Sequence, residues 1–176
     1  MIDFSRNHFQ LFDLPERFGV DPAALEQRFR ALQGAVHPDR HATADDAGRR
    51  EALQSSARVN EAYGTLKDPV VRAQYLLSLH GVDALAETNS ALPLDFLECQ
   101  LERREAASDA QAARDVPALE SLLAAVRADA AALEPRIGAL LDGDGAWEAA
   151  RMPVRELKFL TRLAADIDAM LGELDD

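Results

Sequence analysis

The chain has 176 residues, of which 48% are hydrophobic and 28% charged, a composition typical of a globular protein. Its 19 basic side chains are outnumbered by 31 acidic ones, and the net charge of -12 argues against broad binding to nucleic acid, which requires basic groups to neutralise phosphates. A single cysteine, Cys99, excludes an internal disulfide and a thiolate-only zinc site. No apolar run approaches the roughly 18 residues of a membrane span, and the N-terminus lacks a signal-peptide pattern, so we expect a cytoplasmic protein with no membrane partner.

The charge is unevenly distributed along the chain. Residues 1–80 carry 10 basic and 11 acidic side chains, a net charge of -1, whereas residues 81–176 carry 9 and 20, a net charge of -11. All four histidines and both tyrosines lie in the first part. Two compositions in one short chain predict two modules with different tasks.

Helical periodicity dominates the first half, and no segment shows convincing strand alternation. Asp21-Pro22 is typical of a helix start, and Pro38 ends that helix because the residue before a proline is disfavoured in the α region. Asp68-Pro69 separates the next two helices in the same way. The predicted elements in chain order are a helix over 21–36, a polar loop over 38–43, a helix through 53–66 and a helix over 70–79.

The second half is also predicted to be helical. Residues 81–92 lack a clear period and are predicted to be a linker. Three helices follow: one from Pro93 to about Ala107, one over about 115–140, and one over 147–174 whose regular part could begin at Pro153. Short loops between them predict an antiparallel three-helix bundle over 93–176, so the predicted fold class is all-α.

No residue constellation in the sequence predicts catalysis or a bound metal. Asp142-Gly-Asp-Gly145 looks like the start of a calcium loop, but the later ligand positions of such a loop hold Ala146 and Pro153, so we expect a turn. His37 and His41 have the spacing of a metal pair on a helix, which Pro38 interrupts. Nucleophile motifs and phosphate-binding loops are absent from the sequence, and we predict neither an enzyme nor a resident cofactor.

The most distinctive motif is His37-Pro38-Asp39-Arg40, in the turn between two amphipathic helices. By itself the motif could be an ordinary helix stop followed by a capping aspartate. Its context, however, resembles the J-domain, the module through which co-chaperones engage DnaK-type chaperones, and the resemblance covers about residues 1–80. The matching positions are Leu14, Phe29, Leu32, His37, Pro38, Asp39, Asn60, Ala62, Tyr63, Leu66, Asp68, Pro69, Arg72 and Tyr75.

The J-domain resemblance implies that the tripeptide His37, Pro38 and Asp39 contacts the nucleotide-binding domain of the chaperone and accelerates ATP hydrolysis. Physically, proline limits the freedom of the loop, and the Asp39 carboxylate can accept a charge-assisted bond from a partner arginine. The resemblance also implies assistance from basic side chains on and after the preceding helix. Those available in this sequence are Arg28, Arg30 and Arg40.

The second module narrows the resemblance to one family. A J-domain followed directly by a short acidic bundle is similar to the HscB family, the co-chaperones of iron–sulfur cluster assembly, and the segments 75–81, 95–105 and 155–163 fit that family. The glycine/phenylalanine-rich linker and zinc repeats of general J-proteins are absent from the sequence. The resemblance implies two partners, the DnaK-type chaperone HscA and the scaffold protein IscU, on which the cluster is built.

Helical geometry predicts an exposed face on the helix after Pro93. Leu97 and Leu101 share an arc with glutamates that would be costly in a core, whereas Phe96, Cys99 and Ala106 form the side expected to pack inside. On the last helix, Phe159 points roughly 110° away from the apolar stripe. The family resemblance implies that this face binds the scaffold, with the expected contacts Leu97, Glu98, Leu101, Glu102, Glu105 and Phe159.

The sequence also allows alternative functions. The chain could be a J-protein that serves a general DnaK and a different client, or a structural adaptor whose J-like module activates nothing. The intact His37-Pro38-Asp39 argues against the adaptor, because degenerate J-like domains typically lose that tripeptide. An undetected hydrolase is disfavoured by the missing pairing of a nucleophile with a base.

Overall fold

A computed structural model describes residues 2–36, 45–84 and 92–175, and every regular element within these ranges is helical. The predicted all-α class is therefore confirmed. The α-helices are α1 His8–Leu11, α2 Pro22–Val36, α3 Asp46–Lys67, α4 Pro69–Leu79, α5 Leu94–Ala112, α6 Val116–Gly138 and α7 Trp147–Asp175. A π-helical segment, Ala139–Gly143, follows α6 directly.

The chain divides into two compact units, residues 1–76 and 77–176. The division falls inside α4, whereas the sequence predicted a J-domain over 1–80, a linker over 81–92 and a bundle over 93–176. Of the predicted linker, the structure describes residues 81–84 and 92. In the second unit, Val82 and Ala84 are buried, and the Ala84 carbonyl accepts a hydrogen bond from Arg155 Nε at 2.7 Å.

The first unit is built around aromatic and aliphatic side chains from α1, α3 and α4. Phe9 and Phe12, at the end of the short α1, are fully buried, as are Val59 and Leu66 of α3. The α1 N-terminus has a reciprocal cap, in which Asn7 accepts from the Gln10 amide and Gln10 accepts from the Asn7 amide. This cap compensates for the poor intrinsic stability of a four-residue helix.

Arg72 joins α4 to the end of α3 and to the segment that precedes α2. Its Nε donates to the Phe18 carbonyl at 2.7 Å, and its Nη1 donates to the Leu66 carbonyl at 2.6 Å. The guanidinium also lies over the Phe18 ring, 5.0 Å from the ring centroid. A lysine could not reproduce this arrangement, because it lacks the planar fork of donors.

The second unit has its core where the bundle helices meet. The predicted apolar stripe of α7 is confirmed, because Leu157, Leu160, Ala164 and Ile167 are buried and Leu171 and Leu174 are partly buried against the core. Leu163 is also buried and widens this stripe beyond the prediction. Pro153 does not start α7, which begins at Trp147.

The predicted packing side of α5 is partly wrong. Cys99 and Ala106 are exposed, and the buried residues of the helix are Gln100 and Ala107. The direction of Gln100 and Ala107 is therefore rotated by roughly 75° from the mean direction of Phe96, Cys99 and Ala106, at about 100° per residue. The sequence pattern disfavours a polar residue such as Gln100 in a core. Its side-chain oxygen, however, accepts a hydrogen bond from Arg103 Nη1 at 3.4 Å, and a polar group with a partner can be buried.

His8 provides a test of the first unit. Its ring is buried and stacked on Tyr75 with centroids 4.3 Å apart, and its Nδ1 has no hydrogen-bond partner in the described part of the chain. Burial lowers the pKa of His8 below the ordinary 6.5, and Arg58 lowers it further while Glu61 opposes. Below pH 6.5 the unfolded state therefore binds more protons than the folded state, and the free energy of unfolding falls as the pH drops through 6.5 towards the lowered pKa.

His8→Phe should flatten this pH dependence, because phenylalanine can stack on Tyr75 but cannot be protonated. The measurement is urea unfolding between about pH 5 and 8, across the histidine range. Tyrosine absorbance can follow the first unit, because both tyrosines lie there and Trp147, the one tryptophan, lies in the second. The two proteins share all other histidines, so parallel pH profiles would contradict the assignment.

Candidate partner-binding surfaces

The predicted chaperone-binding motif lies between two helices that the structure describes. His37, Pro38, Asp39 and Arg40 themselves lie outside the described residues. Helix α2 ends at Val36, immediately before them, and α3 is capped by the Asp45 side chain, which accepts from the Gly48 amide at 2.8 Å. A helix therefore lies on each side of the motif, as the sequence predicts.

The α2–α3 hairpin is fixed by contacts close to its open end. Phe29 of α2 stacks on Tyr63 of α3, with centroids 4.0 Å apart, and the Tyr63 hydroxyl donates to the Glu26 carboxylate. This bond lowers the pKa of Glu26 and raises the pKa of Tyr63. Lys67 lies over the same tyrosine ring, 5.4 Å from its centroid. These contacts fix the position of α2 relative to α3, the two helices that flank the motif.

The structure does not bring Arg28 and Arg30 together as one basic patch. The two residues lie about 160° apart around α2, since two residues turn the helix by roughly 200°. Arg28 Nη1 is 3.7 Å from an Asp13 carboxylate oxygen, and Arg30 Nε is 2.8 Å from Glu26 Oε1. Exposed ion pairs of this kind contribute at most about 1 kcal/mol, so a partner can exchange them at little cost.

The leucine face is the outer side of α5, formed by Leu94, Leu97 and Leu101. Their exposed fractions are 70%, 38% and 59%, respectively, which are high values for large apolar residues. Glu98, Glu102 and Glu105 are exposed beside them. All five α5 residues predicted to bind the scaffold are thus accessible on one helix.

Phe159 of α7 lies off the apolar stripe and packs against α5. Its ring packs edge-on against Phe96 of α5, with centroids 5.8 Å apart, and the Arg104 guanidinium lies 5.0 Å from its centroid. Arg104 is three residues from Leu101 and seven from Leu97 on α5, so the half-buried Phe159 ring contacts a residue that neighbours the leucine face. Arg104 is not among the predicted residues, although its spacing of three and seven residues from the two leucines places it on a neighbouring part of the helix surface.

The described residues include no group of three or more histidine, cysteine, aspartate or glutamate side chains arranged to hold a metal ion. Among the same residues, no helix combines the length and the apolarity that crossing a bilayer requires.

Comparison with known proteins places this architecture in a family. A family model described as the HSCB C-terminal oligomerisation domain matches residues 92–168, which include α5, α6 and most of α7. A co-chaperone protein HscB homolog of Burkholderia multivorans is 49% identical over 175 residues, and the match covers 99% of each chain. This chain belongs to the HscB family of co-chaperones. A homolog of the same name from Ralstonia nicotianae is also 49% identical, over 98% of each chain.

Solved HscB structures have the same fold. The chaperone HscB from Vibrio cholerae is 36% identical and superposes with a TM-score of 0.84, over 96% of this chain and 99% of that one. The human co-chaperone protein HscB is 27% identical, with a TM-score of 0.87 over 95% of this chain and 83% of that one. The predicted organisation, a J-domain followed by a helical domain, is consistent with both structures.

Proposed function

We propose that this HscB-family chain couples the DnaK-type chaperone HscA to the iron–sulfur scaffold protein IscU. The observation that carries the proposal is the leucine face. Three accessible leucines lie on one helix, and the half-buried Phe159 packs on Phe96 of the same helix; exposed apolar side chains grouped in this way mark an interaction site. We further propose that this activity takes place in the cytoplasm.

In the proposed mechanism, the first unit acts on the chaperone. Asp39 supplies a carboxylate that accepts from a basic group of HscA, and Pro38 limits the loop so that less entropy is lost on docking. His37 supplies a ring that donates or stacks, while Arg28, Arg30 and Arg40 assist. The described contacts that support this part are those of the α2–α3 hairpin, which hold the helices on either side of the motif.

The second unit holds the scaffold. Leu97, Leu101 and Phe159 form the centre of the proposed contact, and Glu98, Glu102 and Glu105 form a polar rim. Interfaces commonly have this arrangement, in which apolar anchors contribute most of the affinity and surrounding charges contribute orientation and association rate. Because the unit carries most of the net charge of -12, the proposed partner surface is basic or mixed in charge.

Coupling then follows from having both surfaces on one chain. A scaffold bound to the second unit has a high effective concentration near the chaperone that the first unit engages. Stimulated ATP hydrolysis would trap the scaffold in the tight-binding state of HscA. The chain itself performs no chemistry in this proposal, and the iron–sulfur cluster is cargo carried by the scaffold.

Asp39→Ala should abolish stimulation of the HscA ATPase while scaffold binding stays intact. Loss of a charge-assisted contact at an interface costs about 2–5 kcal/mol, which is enough to remove most of the engagement. Steady-state ATP hydrolysis measures the first property, and calorimetric titration with IscU measures the second and serves as the folding control. Normal stimulation by this variant would refute the proposed role of the first unit.

Leu97→Ser combined with Phe159→Ala should weaken scaffold binding by at least about 30-fold, because truncating two central apolar anchors at about 1 kcal/mol or more each removes at least about 2 kcal/mol of binding free energy. The matched control is Leu53→Ser with Phe4→Ala, which alters an exposed leucine and an exposed phenylalanine of the first unit. Isothermal titration calorimetry with IscU measures the difference. Equal affinity in the test and control variants would show that the scaffold binds elsewhere.

A further inference from the structure

A groove of about 430 Å³ runs along the other side of α5, where this helix meets α6 and α7. Its apolar lining comes from Phe96, Leu133 and Leu160, with the buried Gln100 beside them. The carboxylates of Asp95, Asp129 and Glu156 also line it, and no basic side chain does. The groove therefore combines a hydrophobic floor with negative charge from all three helices of the bundle.

The three carboxylates are not equally compensated. Asp129 is paired with Arg103, whereas neither Asp95 nor Glu156 forms an ion pair with any part of the chain that the structure describes. Burial raises the pKa of Glu156 and repulsion from Asp95 raises it further, although attraction from Arg136 opposes both effects. A positive charge entering the groove would be attracted by both uncompensated carboxylates.

The lining indicates which cation fits. A lysine or arginine side chain has an aliphatic stem that can lie on the apolar floor and a charged head that can reach the carboxylates. A bare metal ion is a poorer fit, because the described residues contain no cluster arranged for one. A second copy of this chain is also disfavoured, because residues 81–176 carry 20 acidic and 9 basic side chains and two such surfaces repel each other.

The groove and the surface proposed for the scaffold meet at one aromatic contact. Phe96 packs against Phe159 and also lines the groove, and the next residue on the helix, Leu97, belongs to the leucine face. We propose that the groove receives a lysine or arginine side chain of the iron–sulfur scaffold, so that the scaffold-binding surface extends around α5 from the leucine face to Glu156. This inference rests on the proposed function.

The test is calorimetric titration of IscU into the full chain carrying Asp95→Asn and Glu156→Gln. Both changes are close to isosteric, and thermal denaturation checks that the variant is folded. The matched control, Glu120→Gln with Asp144→Asn, removes the same charge from two exposed positions of the same unit. We expect the test variant to bind about tenfold more weakly than the control, with a smaller dependence of affinity on salt, because a local charge contact has been lost.

Equal affinities and equal salt dependence in the test and control variants would overturn this inference while leaving the leucine face unaffected. If the unmodified chain fails to bind IscU at all, the proposed function fails instead, and the groove assignment fails with it. Sedimentation velocity adds one more outcome. Concentration-dependent dimerisation of the unmodified chain that the groove variant loses would assign the groove to a second copy and refute the scaffold as its occupant.

Discussion

The packing of α5 on α6 and α7 is the constraint on which the proposed cargo surface depends. The helix is buried through Gln100 and the small side chain of Ala107, and a narrow seam of this kind leaves its leucines outside. Leu97 and Leu101 therefore remain accessible, although burying such side chains would stabilise a fold by about 1.5–3 kcal/mol each. The long apolar stripe of α7 supplies the stability of the bundle, so α5 can present its apolar residues to a partner.

Charge is organised differently in the two units. In the first, Arg28 and Arg30 of α2 form ion pairs with Asp13 and Glu26, and the unit is nearly neutral. Each arginine can exchange its carboxylate for one on a partner protein. In the second, carboxylates surround the leucine face and line the adjacent groove. The net charge of -12 is therefore concentrated where the scaffold is proposed to bind, and it favours a partner with basic groups at matching positions.

The sequence was sufficient to predict the all-α class, the approximate helices, the α7 stripe and the accessibility of Leu97 and Leu101. Three features were beyond it. The exposure of Cys99 accompanies the burial of its polar neighbour Gln100, which the hydrophobic pattern of α5 does not predict. The ion pair of Arg28 with Asp13 joins residues that are far apart in the sequence, and no helical spacing relates them. The acidic groove combines residues from three helices, and no sequence spacing relates Asp95 to Asp129 and Glu156.

The central claim is that one chain must carry both surfaces. The most direct measurement compares unmodified chain with an equimolar mixture of two full-length variants, Asp39→Ala and Leu97→Ser with Phe159→Ala, in an HscA ATPase assay with and without IscU. Each variant retains one surface, so the mixture contains both surfaces but never on the same molecule. The account predicts that IscU increases ATP hydrolysis with the unmodified chain and gives no such increase with the mixture, because the gain in effective concentration is lost. An equal increase with the mixture would contradict it.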